Sequence, residues 1–505
     1  MLPALQRIAV LILLGFCLGP PRSAQAELLA GTGRMDITRQ TSPFNDPLYA
    51  KALALRSGQQ TLVLITVDAV SIGRIGYIRD TYLQQVRDAL QQELGIAPEA
   101  VFVNASHCHG IVCEDVAERT ITAVQEAVRN MVPVRAGTGV GQEVRIMENR
   151  RLLLHDGSET DVRRAYSMPW DDEVAAIGPV DPEIGLLRLE RYDGTPLAVI
   201  YNFACHPIHG VPSGLSSADF PGFASAVIEE NLGYGCLAFF IQGCAGDINP
   251  VIYKDVSTPH DCEPFGNMLG LNVLRGLRTI PADQMQTDPE LQVLNRSLEL
   301  PRAEDFQTRL DALEQKQEQL LSQLGGTDLN FRNFLPLYLQ HKLNPDYPTF
   351  YSHRYLLEER IGSNGLQQLD EVNRRSIDAY LQNIRTMEQL SRLQVNRRLL
   401  QMHQKQTQEA GDQPLTVEVG GIRIGDFRLV TFPGELTVQI GLNIKQKSPH
   451  RFTFVAGYTN GYIYYTPTTQ QRLNTGFAQE DCDTLVAPEW QPLFESTVEQ
   501  VLSEL

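Results

Sequence analysis

From residue 28 to about residue 300, short apolar runs alternate with longer amphipathic stretches, and this alternation limits the possible folds most strongly. Residues 61–70 are almost continuously apolar, as expected of a strand covered on both faces. Residues 77–95 place apolar side chains at helical spacing and end at a glycine. A second strand and helix are predicted at residues 100–104 and 116–132. Such alternation predicts a layered α/β domain with a mostly parallel or mixed sheet. Further buried strands are predicted at residues 196–204 and 236–242.

The pattern changes between residues 301 and 412, where leucines and other apolar residues recur at helical spacing in a Gln- and Glu-rich background. We expect a helical insertion or hairpin whose apolar stripes are packing faces rather than ligand sites. Short β-rich runs return at residues 415–419, 427–432 and 452–456. The predicted organisation is therefore a signal peptide (1–26), the first part of an α/β core (27–300), the helical insertion (301–412), and a C-terminal part (413–505) that rejoins the core.

Residues 1–26 have the pattern of a secretory signal peptide. A positive start precedes the apolar residues 8–18, and Ala24-Gln25-Ala26 forms an A-x-A cleavage site. Cys17 raises the alternative of a lipoprotein, but a bulky residue precedes it, so cleavage after Ala26 is favoured. The sequence thus predicts export to a periplasmic or extracellular location. No later run reaches about 18 apolar residues, so no transmembrane helix is predicted.

The composition is that of a globular protein, with 43% hydrophobic and 20% charged residues. A net charge of −17 disfavours a nucleic-acid partner, because phosphate backbones attract Lys and Arg. An odd number of cysteines follows residue 26, so at least one is unpaired or bonded to another chain. No CxxC pair occurs, which disfavours a cysteine-based zinc site. These cysteines are Cys108, Cys113, Cys205, Cys236, Cys244, Cys262 and Cys482.

A His-x-His pair follows the predicted strand at residues 100–104. In extended backbone, His107 and His109 project to the same face, so both can point into one site. Imidazole nitrogens are good zinc ligands. The pair alone is a weak signal, and a strand end with two hydrogen-bonded histidines is the plainer interpretation.

Several later motifs also carry histidines, acids or tyrosines. They contain His206 before a proline at a strand end, Asp219 before a helix start, Asp247 and Asn249 in a glycine-rich loop, Glu435 after Pro-Gly, and Tyr462, Tyr464 and Tyr465. Taken singly, these residues are accounted for equally well as strand-end, turn, helix-capping and core residues. Only their joint order favours a site.

That joint order resembles the N-terminal catalytic domain of the neutral/alkaline, non-lysosomal ceramidases. The motifs are HxH (107–109), NR (149–150), HP (206–207), SADxxG (217–222), GCAGDINP (243–250), PGE (433–435) and NGYxxY (460–465). The opening GRMDIT (33–38) is also similar to the start of that family. The resemblance runs through most of residues 30–490, and the helical segment is its least similar part.

The resemblance implies one zinc ion per chain, bound by four side chains. Motif by motif these are His107, His206, Glu435 and Tyr465, with Tyr462 as the alternative for the last position. Neutral imidazole, carboxylate and phenolic oxygen all bind zinc, which lowers the pKa of a bound water to about 7.

Two further roles follow from the resemblance. His109 is implied as an acid/base or supporting histidine beside the metal. Arg150 is implied to contact the substrate or the developing oxyanion.

The chain departs from the family pattern at two positions. Asn249 stands where the family has serine; because an amide cannot form an acyl intermediate, a water-based reaction is expected. Asn249 and its loop neighbour Asp247 are then candidate catalytic residues that orient groups or form hydrogen bonds. Phe477 falls where the family has a second tyrosine. The sequence ends at Leu505, so we expect no C-terminal immunoglobulin-like domain.

The leading hypothesis is an exported zinc hydrolase that cleaves an amide (N-acyl) bond of a small molecule or a lipid by activated water. The alternative is a catalytically impaired, metal-binding ceramidase-like protein that acts in ligand recognition. A metal-free serine hydrolase ranks last, because no GxSxG motif occurs.

Overall fold

The computed structural model describes residues 27–162 and 168–505, so the predicted signal peptide lies outside the described residues. The strands are β1 (Leu29–Asp36), β2 (Tyr49–Ser57), β3 (Gln60–Val67), β4 (Val101–Ala105), β5 (Val132–Gln142), β6 (Met147–Asn149), β7 (Arg151–Leu154), β8 (Glu159–Asp161), β9 (Val174–Ile177), β10 (Glu183–Arg191), β11 (Pro196–Phe203), β12 (Leu237–Gln242), β13 (Ile248–Pro250), β14 (Leu291–Leu300), β15 (Leu415–Ile424), β16 (Phe427–Thr431), β17 (Glu435–Leu436), β18 (Thr453–Ala456) and β19 (Tyr465–Thr466). The helices are α1 (Tyr82–Leu94), α2 (Val116–Arg129), α3 (Asp219–Leu232), α4 (Glu263–Leu277), α5 (Phe306–Gln323), α6 (Phe331–Leu343), α7 (His353–Ile361), α8 (Gly365–Ala410), α9 (Val438–Lys447), α10 (Thr469–Arg472), α11 (Gln479–Cys482) and α12 (Trp490–Glu504).

The largest sheet has eight strands in the order β12-β11-β10-β5-β1-β2-β3-β4. Its two end pairs, β3–β4 and β11–β12, are parallel, and the pairs between them are antiparallel. Each parallel pair is joined by a crossover that contains a helix, as parallel strands require. The predicted mixed α/β class is therefore confirmed, with parallel pairing confined to the ends of the sheet.

The predicted strands agree with the structure to within a few residues, but the first helix is shorter than predicted. It begins at Tyr82 rather than at residue 77. Gly73 and Gly76 have φ angles of 87° and 75°, which hold the preceding segment in turns. The apolar side chains of that segment therefore continue the helical spacing in the sequence without belonging to the helix.

Alternate residues of each central strand point to opposite faces of the main sheet, so one face packs against helices and the other against a second sheet. On β3, Val63 and Ile65 share an apolar cluster with Val86 of α1. Leu64 points the other way and shares a cluster with Leu429 of the second sheet. That sheet has the order β14-β15-β16-β18, and α12 covers its outer face.

The four helices α5 to α8 connect β14 to β15, which are neighbouring strands of the second sheet. Strand β14 ends at Leu300 and β15 begins at Leu415, and these two residues are paired in an antiparallel ladder. The C-terminal half of α8 returns to the body of the protein, where Asn396, Leu400 and His403 are buried. Within the described part of the chain, no helix combines the length and apolarity that crossing a bilayer requires.

A buried acid next to β3 leads to a pH-dependent stability prediction. Asp68 accepts a hydrogen bond from the Tyr49 N–H at 2.8 Å and lines a cavity of about 320 Å³ with Lys51 and Glu229. Burial is the main cause that raises the pKa of Asp68 from 3.8 to about 6. Since this pKa is higher in the folded state, the group favours folding at low pH, and that contribution is lost as pH rises through 6.

We therefore expect Asp68→Asn to stabilise the protein relative to wild type as pH rises. The relative gain in unfolding free energy between pH 4.5 and pH 7.5 should be ~1–2 kcal/mol, less than the full linkage value because the side chain is partly solvated. Urea unfolding at the two pH values measures it. Asp88→Asn on the exposed face of α1 is the control and should show no such gain; equal behaviour of the two variants would contradict the prediction.

Candidate functional site

The ends of three strands bring the first three predicted metal ligands together. His107 follows β4, and its backbone N–H donates to the Ala69 carbonyl at 2.9 Å. His206 follows β11, and its backbone N–H donates to the Ile248 carbonyl at 2.9 Å. Glu435 begins β17, just after β16.

A two-residue parallel ladder adds the predicted tyrosine. In the pairing of β17 with β19, Glu435 lies directly beside Tyr465. The loop before β13 packs closely here, since a Cβ on Gly246 would lie 2.6 Å from the Glu435 carbonyl oxygen. Glycine at that position is therefore required for the loop to reach the site.

His107, His206 and Glu435 form a compact buried group. Their candidate ligand atoms all lie within 4.8 Å of one another. The Glu435 Oε2 atom is 3.1 Å from His206 Nε2 and 3.6 Å from His107 Nε2. All three side chains are buried.

Backbone carbonyls determine which nitrogens face the centre of this group. His107 Nδ1 is 2.6 Å from the Val70 oxygen, and His206 Nδ1 is 3.0 Å from the Ile248 oxygen. A carbonyl oxygen can only accept, so both Nδ1 atoms carry hydrogen. In neutral rings both Nε2 atoms are then acceptors, and they face a carboxylate oxygen that is also an acceptor. Three converging acceptors could hold a metal ion between them, and carbonyl bonds of this kind orient metal-binding histidines.

The electrostatics of the group favour these protonation states. Burial is the main cause that lowers the pKa of His107 to about 3, and the nearby His206 lowers it further, although Glu435 opposes this. Burial alone would raise the pKa of Glu435, but the two histidines and the Tyr462 hydroxyl hold it below its usual range. At neutral pH, His107 is therefore a neutral imidazole and Glu435 an ionised carboxylate, the forms that bind metal.

Three tyrosines surround the carboxylate in different ways. The Tyr465 ring stacks on His206 with 6.5 Å between centroids and lines the cavity that also contains His107. The Tyr462 hydroxyl donates to Glu435 Oε1 and lines a different cleft. Tyr458, which the sequence analysis did not select, donates to Glu435 Oε2 at 3.2 Å. Of the two predicted alternatives, Tyr465 faces the cavity, and Tyr462 lies behind the carboxylate.

The cavity beside the group has a volume of about 350 Å³. His109 is exposed to it and lies 5.8 Å from the His107 ring, centroid to centroid. Asp219, Tyr253 and Gln479 also line its wall. A small polar group, such as the amide of a larger ligand, can enter the cavity and lie next to the three acceptors.

Arg150 lines the same cavity and is held by two hydrogen bonds. Its Nε donates to Glu480 Oε1 at 2.7 Å, and its Nη2 donates to the Gly246 carbonyl at 2.8 Å. Its guanidinium carbon lies 5.2 Å from the centre of the Tyr465 ring. These two bonds use two of the five guanidinium N–H groups, so donors remain for a substrate oxygen.

The sequence analysis did not select Glu480, although it is fully buried and orients this arginine. It also accepts a hydrogen bond from Arg151 Nη1 at 2.8 Å. Because Glu480 is 330 residues from Arg150 and belongs to a four-residue helix, no local spacing could identify it.

Asp247 and Asn249 are buried beside the cavity rather than on its wall. Asp247 Oδ1 accepts the Val438 N–H at 2.7 Å at the start of α9, and its carbonyl accepts the Arg150 N–H at 2.8 Å. Asn249 lies in β13, and its Oδ1 atom has no hydrogen bond partner within the described residues. Asp247 thus helps to place Arg150 through the backbone.

Asp219 and Phe477 both have left-handed backbone. Asp219, with φ of 55°, begins α3 and accepts the Gly210 N–H at 2.7 Å, which fixes part of the cavity wall. Burial raises the pKa of Asp219 to about 6. Phe477, with φ of 56°, lies under the Arg309 guanidinium and lines a groove beside α5 and α8. Gln479, two residues later, lines the cavity instead.

Two solved structures have a similar fold. The neutral ceramidase from Pseudomonas aeruginosa matches with a TM-score of 0.60 and 18% identity, over 95% of this chain and 74% of that chain. A ceramidase complexed with C2 matches with a TM-score of 0.60 and 17% identity, over 95% of this chain and 75% of that chain. No protein-family model and no curated protein matches the sequence. The resemblance inferred from the motifs is confirmed for the fold.

Proposed function

We propose that this protein is a zinc-dependent hydrolase that cleaves the amide bond of an N-acyl lipid such as ceramide. The observation that carries the proposal is the convergence of three acceptors, His107 Nε2, His206 Nε2 and Glu435 Oε2, beside a cavity lined by Arg150. The ceramidase fold and the ordered motifs support the choice of an N-acyl substrate. The pattern of residues 1–26 supports export.

The residues present fit a zinc ion. His107, His206 and Glu435 would hold it, Tyr465 is the proposed fourth ligand, and one ion per chain is expected. Tyr458 and Tyr462 would orient the carboxylate through their hydroxyl groups. When bound, zinc supplies a Lewis acid and lowers the pKa of a water molecule, which makes that water a nucleophile at neutral pH.

Arg150 and His109 have the proposed catalytic roles. In amide hydrolysis, the oxygen of water bonds to the acyl carbon, the carbon–nitrogen bond breaks, and the nitrogen leaves with a proton. Arg150 donates from its remaining N–H groups to the carbonyl oxygen, where negative charge develops. His109, exposed to the cavity, accepts a proton from the attacking water on a ring nitrogen and delivers that proton to the leaving nitrogen.

Asp247 and Asn249 do not line the cavity, and we propose that they support the catalytic residues rather than act on the substrate. The Asp247 carbonyl holds the backbone of Arg150 in place. Asn249 has an amide in place of a nucleophilic hydroxyl, so the proposal involves water attack and no acyl-enzyme. Its Oδ1 atom is buried and has no hydrogen-bond partner within the described residues.

The direct test combines metal content with a substrate panel. Elemental analysis of the purified protein should find about one zinc per chain. Incubation with N-acyl sphingoid bases, N-acyl amino acids and simple fatty amides should release free fatty acid, fastest from the sphingoid series. A well-folded protein without zinc, and without turnover after zinc is added, would contradict the proposal.

A second candidate function is ligand recognition without turnover. It is favoured by Asn249, which replaces the serine of the family motif, and by Phe477, whose side chain lines a groove outside the cavity. One zinc per chain together with no hydrolysis across the panel would support this function over the first.

A further inference from the structure

The helices α6 and α7 and the start of α8, residues 331–372, form a lobe with an unusually apolar surface. Among the large apolar side chains of this lobe, Phe334 and Tyr355 are buried. Phe334 packs on Tyr380 with 4.3 Å between ring centroids, and the Tyr355 hydroxyl bonds to Asp370 at 2.7 Å, so both face α8. The exposed ones are Phe331, Leu335, Leu339, Leu343, Tyr347, Phe350, Tyr351, Leu356, Leu357, Ile361, Leu369 and Val372.

Four of these side chains lie along one face of α6. On α6, Phe331, Leu335, Leu339 and Leu343 recur every four residues and form one ridge. These four side chains are between 41% and 82% exposed, so no other described part of the chain covers this ridge.

The exposed apolar area of the lobe, summed over its side chains, is comparable with that of a stable interface. With individual exposures between 41% and 82%, the twelve side chains present on the order of 1,000 Å². Apolar patches on monomers seldom exceed a few hundred Å², and a stable dimer needs about 800 Å² from each partner.

The charges of the lobe favour a second copy of the chain over an anionic lipid surface. The lobe has four basic and five acidic residues and is nearly neutral, whereas the whole chain has a net charge of −17. Anionic lipid attracts an excess of Lys and Arg, which is missing here. In the described structure, Arg332, Arg354, Arg360, Asp346 and Glu359 make no ion pair. Unpaired charges of both signs suit a twofold contact, in which the same surface meets itself.

We propose that this protein forms a twofold-symmetric homodimer through the lobe of residues 331–372. The α6 ridge of one protomer packs against the lobe of its partner, and the mixed charges at the edge pair across the contact. This inference does not depend on the proposed hydrolase function, because no residue of the lobe lines the cavity of the candidate site.

Sedimentation velocity of the full chain between 1 and 100 μM tests the dimer. We expect a monomer–dimer equilibrium in the wild type. The double variant Leu339→Glu/Leu343→Glu should weaken dimerisation by at least ~10-fold, because it places four charges in an apolar contact. Both side chains are exposed, so folding should be preserved. The control Tyr234→Glu/Val256→Glu changes two apolar residues elsewhere that are also exposed, and it should leave the equilibrium unchanged.

Three outcomes would overturn the inference. A wild-type protein that stays monomeric at 100 μM excludes the dimer. A dimer that the lobe variant does not weaken places the contact elsewhere. A monomer that co-sediments with phosphatidylcholine vesicles, while the lobe variant does not, assigns the surface to lipid.

Discussion

His107→Ala is expected to abolish both zinc binding and N-acyl hydrolysis. The variant removes one of three buried ligands, and even the loss of an outer hydrogen-bond partner weakens metal binding by 10–100-fold. We therefore expect zinc affinity to fall by at least ~100-fold and turnover to reach background. Glu435→Ala should behave in the same way, because its Oε2 atom faces both imidazoles.

Thermal stability provides a readout of metal binding that does not depend on activity. In wild type, a chelator should lower the melting temperature. Bound metal adds about 4 kcal/mol to the free energy of unfolding when the free metal concentration is 1,000 times the Kd. Removal of the metal also leaves three acceptors facing one another. His107→Ala should melt at the same temperature with and without chelator. The control His450→Ala removes a half-buried histidine that bonds the Leu502 carbonyl at 2.8 Å, and it should retain zinc. Full zinc occupancy in His107→Ala would refute the assigned centre.

Arg150→Lys is expected to lower kcat by ~10²–10³-fold while zinc remains bound. Loss of an oxyanion donor typically has an effect of this size. Lysine cannot donate from two edges at once, so it cannot keep the contacts with Glu480 and Gly246 and also reach a substrate oxygen. Steady-state kinetics on the best substrate, with elemental analysis of the same sample, measures the effect.

Two further variants show whether Arg150 acts through its orientation. Glu480→Gln keeps Arg150 but removes the buried charge that holds its Nε, so kcat should lie between wild type and Arg150→Lys. Arg145→Lys changes an arginine that pairs with Glu143 at 2.6 Å outside the cavity, and its kinetics should match wild type. If Arg150→Lys raised KM alone and left kcat unchanged, Arg150 would contribute to ground-state binding rather than to catalysis.

Local pattern was sufficient to predict much of the fold. The continuous apolar run at 61–70 and the shorter run at 100–104 correspond to β3 and β4. A strand that is buried on both faces needs apolar residues at nearly every position, and this pattern is visible in the sequence. The mixed α/β class was also predictable, from the alternation of short apolar runs with amphipathic stretches. The antiparallel centre of the main sheet was not, since strand order depends on which distant segments pair.

The candidate site was also predictable from the sequence only in part. The motif order selected His107, His206, Glu435 and Tyr465, and the structure brings these four residues together. Motif order could not choose between Tyr465 and Tyr462, because both tyrosines lie in one short segment. Their different orientations follow from β19, which begins at Tyr465 and pairs with β17.

The alternation of strands and helices is a property of the sequence, as are the chemical types of the residues that could bind a metal. The orientation and the tautomers of these residues depend on the tertiary structure. Val70 and Ile248 set the histidine tautomers through backbone carbonyls, which have no residue-type signature. Glu480 orients Arg150 across 330 residues. Contacts of that kind depend on how distant segments pack, so no local spacing in the chain encodes them.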